Sequence, residues 1–490
     1  MATELPPNEA TFTVDEVLAA TGGVLVRRGA DATARGVCTD SRKLAAGNLF
    51  VALRGGSFDG HAFVAAVCSA GAAGSVVSQY VEVPGDGWVV RVPDTLVALG
   101  KLATAHRVRW ARAAQRAGKA GRIVAITGSA GKTTTSRAVT AALQSLAPGA
   151  VHSPRGNLNN QIGMPMVLLG LDASHAWGVV EIGTNSRGEV ACGASIASPD
   201  IAVLTLVTCA HGEGLGSLED IAWEKGALLE AVEPAGAVVA NGDDARASAQ
   251  LLRSRARESW TFGVGADLDV SVTERAPDGL DAQRITLRVR ARGAERSVTL
   301  RAPLLGEAGA YACAAGMAVA MAASSCAVDP ADVARAMQSA EGEHGRLEPR
   351  LLSSGVVVID DAYNANPASM AASIRTAAEL ARSMGRELVL VLGEMRELGM
   401  AAEREHLLLG AVAAASGAKK LVAVRGNAEL ICKGAADAGA EAVFVRDATE
   451  AAAVVTEALT GREIVLVKGS RAVALERVVA VLEGAERSVR

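Results

Sequence analysis

The sequence predicts an α/β protein of three domains: a small mixed α/β domain, a central phosphate-loop domain with a mostly parallel sheet and an antiparallel meander, and a C-terminal doubly wound, Rossmann-like domain. Three observations carry this. Continuous apolar runs alternate with helix-like sequence in two separate stretches, the mark of parallel sheets covered on both faces. Between these stretches, residues 268–300 switch to polar–apolar alternation, which belongs to antiparallel strands with one wet face. The 490 residues also exceed what one hydrophobic core serves. The expected domains are 1–95, 96–345 and 346–490.

Taken in order, Thr13 and Glu16 form a capping box at the start of a short helix. Short apolar segments such as Asn48–Leu53, separated by glycine turns, complete the first domain. A helix from Leu96 to about Arg116, ended by the Gly118–Gly121 linker, leads into the strand Arg122–Thr127. Further central strands are expected at Trp177–Val180, Ile201–Val207 and Gly236–Ala240, followed by the meander, as in Ile285–Arg290 and Ser297–Leu300. After the turn at residues 341–346, apolar runs at Val356–Ile359, Leu388–Leu392, Leu421–Val424, Ala442–Val445 and Ile464–Val467 build the last domain.

Composition excludes several function classes. A net charge of −4 without a basic tail or long like-charge block argues against nucleic acid or an anionic membrane surface as partner. No stretch of eighteen apolar residues is present to insert into a bilayer, and the amino end lacks the pattern of an export signal. Seven scattered cysteines, odd in number and with no Cys-x-x-Cys pair, fit buried thiols in a reducing compartment. A cytoplasmic monomer acting on small molecules is expected.

The chemistry is concentrated after the strand Arg122–Thr127, where Gly128, Ser129, Ala130, Gly131, Lys132, Thr133 and Thr134 follow at once. Glycines allow a tight turn that brings backbone N–H groups against a nucleotide's phosphates, and the next helix points its positive end at them. Lys132 then reaches the β- and γ-phosphates and Thr133 offers a hydroxyl to Mg²⁺. Only two residues separate Gly128 from Gly131, rather than the four of the widespread loop. Ligands in open α/β sheets sit beyond the carboxyl ends of strands. That singles out Glu181, a hard oxygen ligand beside the phosphates, although a strand-end glutamate alone is more often a solvated residue. His211 and Lys225 read by default as a loop histidine and a helix-surface lysine.

Seven segments taken together resemble the Mur ligases: 127–133, Gly156–Pro165, Glu181–Asn185, His211–Ser217 with Lys225, Asp360–Pro367, Leu392–Gly399 and Val467–Arg471. The amino-terminal Thr39–Arg42, Asn48–Leu53 and Phe58–His61 are similar to that family's UDP-sugar-binding domain. Asn159–Asn160 and Tyr363–Pro367 mark the branch that adds D-alanyl-D-alanine, and the Asp-Asn-Pro-Arg of the diaminopimelate-adding branch is absent.

The resemblance implies an ATP-dependent ligase of peptidoglycan precursor synthesis that joins D-alanyl-D-alanine to UDP-N-acetylmuramoyl-tripeptide through an acyl phosphate. By that likeness Lys132, Glu181, His211 and Lys225 are catalytic. Thr133 and Glu181 hold one Mg²⁺; His211 and Lys225, the latter as a carbamate, serve a second. Asp40, Ser41, Arg42, Asn159 and Asn160 meet the UDP-linked substrate. Arg346 and Asn364 reach the nucleotide on domain closure, and Asn366, Lys468, Ser470 and Arg471 face the acyl phosphate or the dipeptide. The family's Gly-x-His-Asn-x-x-Asn-Ala is replaced by Gly306–Cys313, with Ala308, Gly309 and Ala312 at the polar positions, which shifts nucleotide seating towards Asn241 and Asp243. A sister amide ligase such as a folylpolyglutamate synthetase, or a non-catalytic nucleotide-binding scaffold, are the competing readings.

Overall fold

The computed structural model describes residues 4–29, 33–56, 58–82, 84, 86–153, 156–208 and 215–487. The amino-terminal part opens with the expected capping box: Glu16 N–H donates to Thr13 Oγ1 at 3.2 Å and Thr13 N–H donates to Glu16 Oε2 at 2.8 Å. The helix Val14–Thr21 follows, and Gly22 closes it in the left-handed region at φ 72°. Five strands then form a sheet in the order Val24–Arg27, Trp88–Arg91, Gly74–Val77, Leu49–Val51, Val37–Cys38, parallel except for the first pair. Trp88 is wholly buried, and it requires a glycine beneath it: a Cβ on Gly74 would stand 2.3 Å from the indole ring.

The helix Thr95–Arg116, capped by Asp94, joins this part to the next. Its buried Leu99, Leu102 and Trp110 belong to one apolar cluster containing Phe12 and Trp88 on one side and Leu168, Leu204 and Leu229 on the other. The first two expected domains therefore share a continuous core, which fixes their relative placement.

The central sheet has nine strands. Arg122–Thr127 lies in its parallel core, between Ile201–Leu204 on one side and Trp177–Glu181 on the other. Successive connections thus leave Arg122–Thr127 in opposite directions, which makes its carboxyl end a topological switch point where a crevice opens. The strands are buried throughout apart from Arg122, as their continuous apolar sequence requires. The meander Val270–Pro277, Gln283–Ala291, Ala294–Ala302 extends the same sheet antiparallel.

One strand is shorter than its apolar run. The run Ile201–Val207 leaves the sheet at Leu204: the Thr205 N–H still donates to the Thr127 carbonyl, but its hydroxyl and the Leu206 carbonyl bond the phosphate loop. The alanine-rich helix Gly306–Ala323 is buried nearly all round, as an amphipathic stripe is missing. Its small residues let it approach the helix Lys132–Leu143 closely: a Cβ on Gly316 would meet the Ala138 carbonyl oxygen at 2.9 Å.

The last sheet orders its strands Glu348–Leu351, Val357–Asp361, Glu463–Lys468, Glu387–Gly393, Lys420–Val424, Val443–Val445, with only the first antiparallel. Helices cover both faces, giving two cores divided by the sheet. This part grips the central one. Leu305 is buried in the last domain's core, and Arg275 pairs with Glu379 through two bonds of 2.7 and 3.1 Å. Among the described residues no helix is long and apolar enough to cross a membrane.

Candidate active site

Residues at or just past strand carboxyl ends of both large sheets line one cleft of about 1600 Å³: Ser129, Ile182, Thr205 and Asn241 from one, Asp361 and Lys468 from the other. At its base, Gly128 and Gly131 adopt φ of 152° and 82°. A Cβ on Gly128 would fall 1.9 Å from Thr205 Oγ1. The loop is held from behind: Ser129 N–H donates to the Leu206 carbonyl at 2.7 Å, Ser129 Oγ to the Thr208 carbonyl at 3.0 Å, and Thr205 Oγ1 to the Ala130 carbonyl at 2.6 Å. The helix Lys132–Leu143 starts from Gly131 with no side-chain cap, so its first N–H groups are left for an anion.

Lys132 Nζ folds back to donate to the Gly128 carbonyl at 2.7 Å. Burial lowers its pKa to about 8; Glu181 opposes that shift and Arg346 adds to it. Thr133 Oγ1 donates to Glu181 Oε2 at 3.1 Å, and burial raises the Glu181 carboxyl against the pull of Arg346 and Lys132. Two hard oxygens thus stand together beside the phosphate loop, the carboxylate buried within reach of the charges of Arg346, Lys132 and Arg137.

Lys225 lies on the helix Leu218–Glu230, started by a capping box between Ser217 and Asp220. It is not a surface lysine: it is 1 % exposed. Burial, with the Lys132 charge adding to it, lowers its pKa to about 7. Among the described residues its amine has no hydrogen-bond acceptor. The neighbouring Glu224, also buried, accepts the Gly188 and Val190 N–H groups, each at 2.8 Å. His211 lies outside the described residues.

The remaining expected residues divide. Thr134, Asn159, Asn160, Asn241, Asp243, Arg346, Asn364, Asn366, Lys468, Ser470 and Arg471 all line the cleft. Asp40, Ser41 and Arg42 do not; they form a short turn in the first domain, where Arg42 donates to both Asp40 oxygens and holds that carboxyl down at about 2. Several side chains are engaged locally. Asn160 Oδ1 accepts the Ile162 and Gly163 N–H groups, and Asn366 caps the helix Pro367–Ser383. Lys468 pairs with buried Asp361 at 2.8 Å and donates to the Asn364 carbonyl at 3.0 Å.

At the replaced segment, a Cβ on Gly309 would fall 2.1 Å from the Leu304 carbonyl oxygen. That position has no room for a side chain. Instead Tyr311 donates its hydroxyl to Asp243 Oδ2 at 2.7 Å, and Asp243 also accepts the N–H groups of Val264 and Gly265. A second candidate cluster, His344, Glu348 and Asp360, brings its ligand atoms within 4.8 Å. Arg350 already fills it, donating to Glu348 at 2.9 Å and lying 3.8 Å from Asp360.

Sequence reasoning passed over three contributors: Tyr311, Tyr363 and the buried Arg137–Glu343 ion pair. Glu343 Oε1 also accepts the Gly156 N–H at 2.9 Å. Tyr363 belongs to the branch-marking segment Tyr363–Pro367, in which the sequence assigns a site role only to Asn364 and Asn366.

Comparison with known proteins decides the lineage. Residues 126–320 match the Mur ligase middle domain, 345–471 the Mur ligase glutamate ligase domain, and 33–107 the Mur ligase family catalytic domain. The UDP-N-acetylmuramoyl-tripeptide–D-alanyl-D-alanine ligase of Escherichia coli is 32% identical over 93% of this chain and 95% of its own length. This chain belongs to the Mur ligase family, in its MurF branch. The Synechocystis ligase of the same name is 34% identical over 91% of both chains. A MurF crystal structure from Acinetobacter baumannii superimposes with a TM-score of 0.84 at 29% identity, covering 98% of this chain and all of that one. The three-domain Mur ligase arrangement and the alternation of parallel sheets with helices agree with the sequence-based expectation.

Proposed function

We propose that the chain joins D-alanyl-D-alanine to UDP-N-acetylmuramoyl-tripeptide, consuming ATP, in peptidoglycan precursor synthesis. The observation that carries this is the phosphate cradle Gly128–Thr134 at the switch point, with Glu181 against Thr133, inside a cleft walled by two domains. A carboxylate is a poor electrophile. Its oxygen attacks the γ-phosphorus of ATP, the bond to the β,γ-bridging oxygen breaks, and ADP leaves. The dipeptide amine then attacks the acyl carbon, loses a proton, and expels inorganic phosphate. Two anions must meet for the first step, so Lys132 and the helix N-terminus supply positive charge where negative charge develops.

Thr133 and Glu181 fit a divalent cation: both are oxygen donors, and they stand adjacent beside the phosphate loop. Mg²⁺ held there would neutralise phosphate charge and orient the γ-phosphoryl group. Lys225 fits a second Mg²⁺, shared with His211, only after its amine has added to CO₂ and lost a proton, since an ammonium cannot ligate a metal. Its burial and lowered pKa favour the neutral amine that such addition needs.

In this reading residues 1–95, with Asp40, Ser41 and Arg42, hold the UDP end, 96–345 hold ATP, and 346–490 bring Asn364, Asn366, Lys468, Ser470 and Arg471 to the reacting groups. Binding energy from the distant UDP end orients the carboxylate. Among the described residues Cys38, Cys68, Cys192, Cys313, Cys326 and Cys432 are free, which supports a reducing cytoplasm as the place of action, and we take the working unit to be a monomer.

The test is ADP release by the purified chain. It should require tripeptide and dipeptide together, and Lys132→Met should abolish it. ATP binding without turnover when both substrates are present would instead favour a nucleotide-binding scaffold.

A further inference from the structure

Tyr363 follows the strand Val357–Asp361 and lines the cleft. Its N–H donates to the Gly345 carbonyl at 3.2 Å, which ties the residue to the segment entering the last domain. Two guanidinium groups rest on its ring. The Arg346 Cζ lies 4.6 Å from the ring centroid and the Arg471 Cζ 5.4 Å, both inside the range of cation–π attraction. One arginine comes from the interdomain segment and the other from the short turn Arg471–Val473 that follows the strand Glu463–Lys468, 108 residues from Tyr363 in sequence.

Several cations of this region are matched by carboxylates. Lys468 has Asp361, Arg350 has Glu348 and Glu483, and Arg137 has Glu343. Arg346 is different: among the described residues no carboxylate lies within ion-pair distance of it, while its charge bears on both Lys132 and Glu181 at the base of the cleft. The contact that orients Arg346 is therefore the Tyr363 ring. The like charges of Arg346 and Lys132 bear on each other, and an anion between them would relieve that repulsion. A carboxylate partner in the same place would compete with that anion; an aromatic face orients a guanidinium without neutralising it.

We propose that Tyr363 is a positioning residue for the ligase reaction, whose ring holds Arg346 and Arg471 towards the phosphate groups bound at Lys132. The anion is the polyphosphate of the nucleotide or the acyl phosphate that succeeds it. This inference rests on the reading of the cleft as an ATP site. ATP-dependent activity of the unaltered chain tests that reading by itself, so the two can fail separately.

The experiment compares Tyr363→Phe, which keeps the ring, with Tyr363→Leu and Tyr363→Met, which fill the space without a quadrupole. Kinetics are measured with each substrate varied in turn. Both non-aromatic variants should raise KM for ATP and lower kcat by about tenfold or more combined, as loss of two cation–π contacts implies. KM for the UDP-linked tripeptide should stay within about twofold, and the Phe variant should restore the ATP parameters. Adding Arg346→Gln to whichever non-aromatic variant folds should cost much less than the same change in the unaltered chain, because the arginine has already lost its support. Equal ATP kinetics for the Phe and non-aromatic variants, or an additive effect of Arg346→Gln, would overturn the proposal.

Discussion

Thr133 Oγ1 stands 3.1 Å from Glu181 Oε2, joining the first turn of the helix after the phosphate loop to the end of the neighbouring parallel strand. Strand register makes the pairing unavoidable: Glu181 lies beside Ile126, two residues before Gly128. Burial disfavours the charged carboxylate there, and a bound cation would offset that cost. Glu181→Gln keeps the shape and removes the charge. Its expected result is a rise in the Mg²⁺ concentration needed for half-maximal ADP release and a fall in kcat of at least about tenfold to a hundredfold, the loss typical even of residues one step removed from a metal. An unchanged Mg²⁺ titration would remove Glu181 from the site.

Lys225 is buried beside a second lysine, an arrangement that costs stability unless the amine is neutral or chemically altered. Protein prepared in bicarbonate should carry a carbamate at Lys225, readable by carbon-13 labelling and NMR. Lys225→Ala should lose nearly all activity, and short carboxylic acids should restore part of it by placing a carboxylate where the carbamate stood. Full activity of the unrescued variant would end the idea.

Much of the phosphate site was legible because its chemistry is local. Gly128, Gly131, Lys132 and Thr133 are adjacent in sequence, and only glycine meets the left-handed angles and the 1.9 Å approach to Thr205. The apolar strands and the meander were legible from periodicity for the same reason. What escaped was long-range. Arg137 and Glu343 are 206 residues apart, Tyr363 and Arg471 are 108 apart, and nothing in either local sequence announces the partner. Asparagine was ambiguous in another way. Asn160 and Asn366 line the cleft as expected, yet their side-chain oxygens are occupied in starting helices, because the short amide that binds ligands also caps backbone.

Gly128→Ala tests the closeness of that local fit. The added methyl group would overlap Thr205 Oγ1, whose hydroxyl donates to the Ala130 carbonyl and so shapes the loop. Loop displacement should weaken ATP binding by about 2 kcal/mol or more, the range of steric and backbone penalties at such positions, with a much smaller change in the affinity for the UDP-linked substrate. Isothermal titration with each ligand separates the two effects.

Glu224 tests how the lysine's helix is fixed to the loop after Glu181. Its two carboxylate oxygens accept the N–H groups of Gly188 and Val190 at the start of the helix Glu189–Ala197. Glu224→Gln leaves one acceptor and sets an amide N–H against a backbone N–H. An unmet buried donor costs about 1–3 kcal/mol, so the denaturant midpoint should fall accordingly. A midpoint unchanged within error would show that the helix start does not depend on this carboxylate.

Acid sensitivity should arise away from the cleft. His152 and His175 lie with ring centroids 4.7 Å apart, and His152 Nε2 is 2.9 Å from the Val167 carbonyl oxygen. Burial, with the neighbouring His175 charge adding to it, lowers the His152 pKa from 6.5 to about 4. The folded state therefore holds fewer protons at this site than the unfolded chain between those two values, and stability rises with pH across that window. The contribution is fully present above pH 6.5 and is lost as the pH falls towards 4. Replacing His152 with Gln, which cannot take up a proton, should flatten this part of a stability-against-pH profile measured by urea unfolding. An identical slope in the variant would assign the acid sensitivity to other groups.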